Sequence, residues 1–269
     1  MKDKFLVCID SDGCAIDSMT VKHEKAFGPA FVEIWKISDF QKKTVLNEWN
    51  NINLYSITRG INRFQGLLAI LNLHPELVDG EQLSMFKVWT ETTKALSAES
   101  LKEEYKQTGL EIMDKALKWS DLVNSKMEEL PLAQPFDGVI ETVQEIKLKA
   151  DIAVVSSANL SAIKEEWQKC GLYQLVDYFY SQSDGTKSEC INRLISTGYH
   201  RNKIIMIGDA LGDFKAAETN QVWFFPILAA KESMSWLDLK QKYLNRFFNQ
   251  QFNKTIQEKL FLNMKDNLL

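Results

Sequence analysis

The sequence predicts an α/β protein, a doubly wound parallel sheet interrupted by an inserted all-helical domain. Three patterns carry that prediction. From about residue 134 onward, short apolar runs alternate with amphipathic stretches, as successive β-α-β units require. Several of those runs stop abruptly at an acidic or hydroxyl residue, where a buried strand of a parallel sheet would reach its ligand-binding edge. Between residues 19 and 133 the periodicity is helical and no convincing strand is found. The expected division is a core made of residues 1–18 and 134–269, with 235–269 as a helical extension, and a helical domain over 19–133.

Taken in order, the run FLVCI (residues 5–9) reads as a buried strand ending at Asp10, Asp12 and Gly13. Residues 19–38 read as a helix whose apolar face carries Val21, Ala26, Phe27, Ala30, Phe31 and Trp35. Helices are expected over 62–71, 81–96 and 101–127, the last opened by a capping box of Ser100 and Glu103. The segment LPLAQPFDGV (130–139) holds two of the chain's five prolines, the composition of a crossing between domains. Beyond it helices are expected over 139–149, 160–170, 187–197 and 211–219, and strands over 152–156, 178–181, 203–207 and 222–226. The tail places Trp236, Leu239, Tyr243, Leu244, Phe247, Phe248, Phe252, Ile256, Leu260 and Met264 at helical spacing, giving one or two helices. Such a face is expected to bury against its own domain rather than to form a seam between copies.

A chain of 269 residues, 45% hydrophobic and 25% charged, has the composition of a globular α/β protein with an insertion. Its net charge of -4 excludes a chain-wide attraction to nucleic acid or anionic membranes. No stretch approaches the roughly 18 apolar residues of a membrane span. The N-terminal apolar run is too short for a signal-peptide core, so the expected location is the cytoplasm. Cys8, Cys14, Cys170 and Cys190 form no Cys-x-x-Cys pair or Cys/His cluster and are expected as reduced thiols. His23, His74 and His200 are isolated from one another and suggest no metal set.

The pattern Asp10-x-Asp12-Gly13-x-x-x-Asp17-Ser18 after an N-terminal strand resembles the first motif of the haloacid dehalogenase-like phosphohydrolases. Ser156 after an apolar run, Lys187, and IIMIGDALGD (204–213) resemble that family's remaining motifs, in order. The helical insert after the first motif resembles the cap of the subclass containing β-phosphoglucomutase and phosphoglycolate phosphatase. The resemblance implies a Mg²⁺ cofactor, an aspartyl-phosphate intermediate and a small phosphorylated metabolite as substrate. No nucleic-acid or membrane partner is expected, and the chain would be a monomer or homodimer.

Each candidate residue has its own chemistry. A carboxylate such as Asp10 can attack phosphorus and divide one displacement into two easier ones. Two residues on, a strand side chain faces the same way, so Asp12 would serve as acid and then base. By the resemblance Asp12 also favours phosphate esters over carbon–halogen bonds. Magnesium prefers hard oxygen ligands, which Asp10, Asp209, Asp213 and the Asp12 carbonyl would supply. The plainer reading of Asp209 and Asp213 is charge at the first turn of a helix; beside Asp10 and Asp12 the metal reading prevails. Ser156 and the Ser157 N–H would hold phosphate oxygens, and Lys187 would neutralise the phosphoryl group. Lys203 competes for that part but opens a strand at the wrong end.

Arg59, Asn62 and Arg63, with Tyr55, are candidate substrate contacts in the helical domain; the alternative is a pair of solvated arginines. Cys14 is expected as a buried thiol without a role. The expected reaction is Mg²⁺-dependent hydrolysis of a phosphate monoester, with a phosphomutase as the alternative enzyme. A catalytically idle binding or regulatory module is the third reading. It is disfavoured because nothing but catalysis requires Asp10, Asp12, Lys187 and Asp209 in one desolvated pocket.

Overall fold

A computed structural model describes residues 3–268 of the chain. It divides into two compact units, one of the segment ending at Met19 together with Leu132 onward, the other spanning Thr20–Pro131.

The first unit is built on five parallel strands: β1 (Phe5–Ile9), β2 (Ala150–Val155), β3 (Tyr178–Tyr180), β4 (Ile204–Gly208) and β5 (Trp223–Pro226). Their order is β3-β2-β1-β4-β5. Alternation along β1 shows why the sheet is covered on both faces. Val7 and Ile9 pack with Val139, Val143, Ile163, Trp167, Trp236 and Phe247, whereas Leu6 and Cys8 pack with Ile191, Leu194, Ala217, Met264 and Leu268. A strand buried on both faces has no polar positions to alternate, which explains its continuous apolar run. The chain extends the sheet from β1 through β2 to β3 and then returns to the far side of β1 as β4. In such sheets the crevice at the carboxyl ends of the two strands flanking the reversal is where ligands bind. Asp10 follows β1 and Asp209 follows β4, on either side of that crevice.

The tail packs on its own unit as two helical stretches. Glu232–Asp238, Leu239–Tyr243 and Leu244–Phe248 run on from one another, the middle piece a π-helical turn, and Lys254–Asn267 follows. The Gln257 side chain accepts the Phe224 N–H at 2.8 Å, so this last helix covers the outer edge of β5. All four cysteines are free thiols.

The second unit is helical throughout, over Gly28–Ile34, Asp39–Asn50, Arg63–Leu73, Gly80–Thr92, Ala98–Thr108 and Glu111–Glu128, with π-helical turns at His23–Phe27 and Asn51–Tyr55. Aromatic packing holds it: Trp119 meets Phe27, Trp49 and Phe64 edge-on with ring centroids 5.7–6.2 Å apart.

Four expectations are corrected here. The helix begun at residue 19 stops at Ile34 rather than 38, because Lys36 turns left-handed and Ser38 caps the next helix. The sequence predicts no helix where Asp39–Asn50 forms one; Phe40, 95% exposed, interrupts its apolar periodicity. The expected helix over 101–127 is two helices, since Gly109 closes the first in the left-handed conformation. Its N-cap is Ser97, not Ser100: the Ser97 hydroxyl accepts the Ser100 N–H. Among the described residues, no helix is long and apolar enough to cross a membrane.

Replacing Trp119, fully buried among these rings, by alanine should cost about 3–5 kcal/mol in denaturant unfolding. Phe40→Ala should stay within about 0.5 kcal/mol. Comparable losses from both would show that the aromatic cluster does not hold the helical unit together.

Candidate active site

β1 delivers Asp10 one residue beyond its last ladder position, where the Asp10 N–H still donates to Ile207 O at 3.0 Å. The chain then turns tightly. The Ser11 carbonyl accepts N–H groups from Cys14, Ala15 and Ile16, and the Ser11 N–H donates back to Asp10 Oδ1 at 2.8 Å. Asp12 therefore stands on a turn. The expectation that it shares a strand face with Asp10 is corrected, because β1 ends at Ile9. Its carboxylate accepts the hydroxyl of Ser18. Ser18 closes the motif that Asp10 opens, and spacing alone does not reveal its bond to Asp12.

β4 delivers Asp209 in the same way, and Asp213 follows in the first turn of helix Leu211–Asn220. Carboxylate oxygens of Asp10, Asp209 and Asp213 all lie within 4.8 Å of one another, and all three residues are buried. Gly208 makes this approach possible: a Cβ there would stand 2.3 Å from Asp213 Cβ and Cγ.

Lys187 opens helix Lys187–Ser196 behind the N-cap Thr186, whose hydroxyl accepts the Glu189 N–H. Its Nζ lies 2.8 Å from Asp10 Oδ2 and 2.6 Å from Asp213 Oδ1. A cation in the first turn opposes the helix dipole. Such a local conflict, visible in the sequence as a lysine just after the capping threonine, marks a functional position. Lys203 instead pairs with Asp3. Ser156 is buried just past β2, and its Oγ accepts the Ala158 N–H at 3.2 Å; Ser157 beside it is exposed. Cys14 lies under the turn with Sγ directed at Ile207 O, and burial followed by the nearby carboxylates pushes its thiol up, away from ionisation.

Burial raises Asp10 well above the ordinary carboxylate range; Lys187 opposes that, while Asp213 and Asp209 add to it. Asp213 is raised for the same reasons, burial foremost. Burial alone would pull Lys187 down, but Asp10 and Asp213 outweigh it and hold the ammonium above its usual range. Three carboxylates facing one ammonium leave two negative charges buried together when all are ionised. That charge and an all-oxygen donor set suit a hard divalent cation.

The candidates in the helical unit are placed differently. Arg59 is buried and its Nη1 donates to Leu54 O at 2.7 Å. Asn62 caps helix Arg63–Leu73, and its Nδ2 donates to Leu96 O. Tyr55 ends the π-helical turn and is 41% exposed. Arg63 Nη1 donates to Asn124 Oδ1 at 2.9 Å and Ser120 Oγ at 3.2 Å, and its guanidinium lies over the Phe27 ring. Burial lowers its pKa, and its hydrogen-bond partners here are neutral. His23 accepts the Trp49 indole N–H at Nδ1, and His74 contacts Glu48 and Glu76.

Comparison with known proteins gives a consistent picture. The family model for haloacid dehalogenase-like hydrolases matches residues 68–227. Comparison with curated protein sequences finds no match. Among solved structures, a haloacid dehalogenase-like hydrolase of Streptococcus pneumoniae is 13% identical, with a TM-score of 0.52 over 90% of this chain and 93% of its own. A candidate phosphoglycolate phosphatase of Lactobacillus delbrueckii subsp. bulgaricus is 14% identical, with a TM-score of 0.56 over 90% and 92%. A predicted phosphoglycolate phosphatase of Haemophilus somnus is 12% identical, with a TM-score of 0.53 over 85% and 87%. At these identities the likeness is one of fold.

Because the folded state raises Asp10 and Asp213, it binds protons that the unfolded chain has already released. Their contribution to stability is present at acid pH and is lost as pH rises through the raised values. A divalent cation bound there would compensate the ionised form, so the gain in Tm from Mg²⁺ should be larger at pH 8 than at pH 5. Thermal denaturation with and without Mg²⁺ at both pH values checks this; an equal gain at each, or none, contradicts it.

Proposed function

The chain belongs to the haloacid dehalogenase-like hydrolase family, and from that membership and the charge balance of its site we propose that it is a Mg²⁺-dependent phosphatase of small phosphate monoesters. The observation that carries the reading is a buried aspartate at a sheet switch point, held by one lysine within an acidic cluster suited to a divalent cation.

In this reading Asp10 attacks phosphorus through a carboxylate oxygen, and the bond from phosphorus to the leaving oxygen breaks as an aspartyl-phosphate forms. Asp12, oriented by Ser18, gives its proton to the leaving oxygen and later takes one from the attacking water. Water then releases phosphate and regenerates Asp10. Lys187 opposes the burial that raises Asp10, favouring its ionised form, and offsets charge on the transferring group. Ser156, with the Ser157 N–H, holds non-bridging phosphate oxygens. Asp10, Asp209 and Asp213, with the Asp12 carbonyl, would hold Mg²⁺, which when bound supplies positive charge against the phosphoryl oxygens.

Arg63 supports a substrate bearing a second polar or anionic group. A guanidinium desolvated against Phe27 and paired only with neutral oxygens gains more from an anion than a solvated arginine does. Arg59 and Asn62, tied to backbone carbonyls, hold the segment that carries it.

Asp10→Asn should abolish hydrolysis of an aryl phosphate, and EDTA should do the same to the parent protein; activity surviving either treatment contradicts the mechanism. Asp12→Asn should lose far more rate on alkyl than on aryl phosphates, since a good leaving group needs little protonation. Equal losses would remove Asp12 as the acid.

Arg63→Ala should lower kcat/KM for the preferred metabolite by roughly 10- to 100-fold, as expected for a charge-assisted hydrogen bond, and leave a small aryl phosphate nearly unchanged. A panel of phosphorylated metabolites identifies that substrate, and uniform losses across the panel would exclude Arg63 from recognition.

A further inference from the structure

Two tryptophans from separate helices donate their indole N–H groups to the turn that carries Asp10. Trp167, in Leu160–Lys169, donates to Ser11 Oγ at 3.0 Å, and Trp236, in Glu232–Asp238, donates to the Cys14 carbonyl at 2.8 Å. Both side chains are fully buried. A buried tryptophan needs an acceptor, but here the acceptors are the two ends of one tight turn, 156 and 222 residues away in sequence.

We propose that Trp167 and Trp236 are positioning residues that clamp the Asp10 turn, and that the C-terminal helical extension bears on the site through Trp236. The link to Asp10 is short. Ser11 receives the Trp167 bond on its hydroxyl while its own N–H holds Asp10 Oδ1 at 2.8 Å, and Lys187 holds the other oxygen. At the far end of the turn, the Cys14 N–H reaches back to the Ser11 carbonyl at 3.3 Å, so the Trp236 bond on Cys14 steadies the same Ser11. A slack turn would let the Asp10 carboxylate swing away from both the metal site and the attack geometry, where small displacements are costly. Only the kinetic arm of the test rests on the phosphatase reading; the metal arm does not.

Trp236→Phe and Trp167→Phe keep an aromatic ring in place and delete the donor; Ser11→Ala removes the Trp167 acceptor without disturbing the aromatic core. Trp223→Phe is the control, because its indole bonds Asn202 O at the opposite end of β5. Mg²⁺ affinity by calorimetry, kcat and KM on an aryl phosphate, and Tm are measured on each full-length variant. The clamp predicts that Trp236→Phe, Trp167→Phe and Ser11→Ala weaken Mg²⁺ binding by about tenfold. It also predicts a roughly tenfold or greater fall in kcat at little-changed KM. Trp223→Phe should alter Tm alone. If the three variants keep parental Mg²⁺ affinity and kcat while losing only Tm, the tryptophans are merely structural and the proposal fails. If the parent protein binds Mg²⁺ but hydrolyses no phosphate ester, and the variants still lose affinity, the clamp stands and the phosphatase reading falls.

Discussion

The contact of Lys187 with both Asp10 and Asp213 is the interaction on which the rest of the site depends. Burying three carboxylates within 4.8 Å of one another is unfavourable unless cations compensate, and removing one partner of a buried charge set typically costs several kcal/mol. Lys187 supplies part of the compensation from a helix start where a cation is otherwise disfavoured. The remaining negative charge suits the crevice to a divalent cation. Stability is surrendered locally so that charge is already in place when substrate arrives, as is common where chemistry is performed.

The sheet makes this arrangement possible. The reversal of strand order places the carboxyl ends of β1 and β4 side by side, and β2 brings Ser156 to the same edge on the other side of β1. Because β1, β2 and β4 are buried on both faces, their register is fixed by packing, and a one-residue slip would exchange the two cores. Asp10 and Asp209 are thus located by hydrophobic burial several residues away. Gly208 adds the last requirement, leaving room for Asp213 against the strand end.

Much of this was legible in the sequence because strands that end in acids announce both themselves and their chemistry. The FLVCI and IIMIG runs are too apolar to be loops, and the residues that follow are too polar to be core. Other features were hidden for identifiable reasons. Helix Asp39–Asn50 buries only Val45 and Trp49, so its apolar stripe was too sparse to register, although Ser38 and Gln41 offered a capping signal. Gly109 breaks a stretch that the sequence predicts as one helix, because glycine closes a helix only where it turns left-handed. Spacing places Asp12 on a strand face, but the chain has already turned there, and turn geometry is set by hydrogen bonds that spacing does not encode. Arg59, a candidate substrate contact by sequence with a solvated cation as the alternative, is buried and donates to a backbone carbonyl, a bond that no spacing announces.

The proposed chemistry concentrates in one bond, that between Asp10 and the transferred phosphoryl group. Quenching turnover of a phosphate monoester in acid and mapping acyl-phosphate by peptide mass spectrometry tests it most directly. The account predicts phosphate on Asp10, accumulating further in Asp12→Asn, where hydrolysis of the intermediate lacks its base. Label on any other residue, or turnover with no trapped phosphoryl group in either protein, would contradict it.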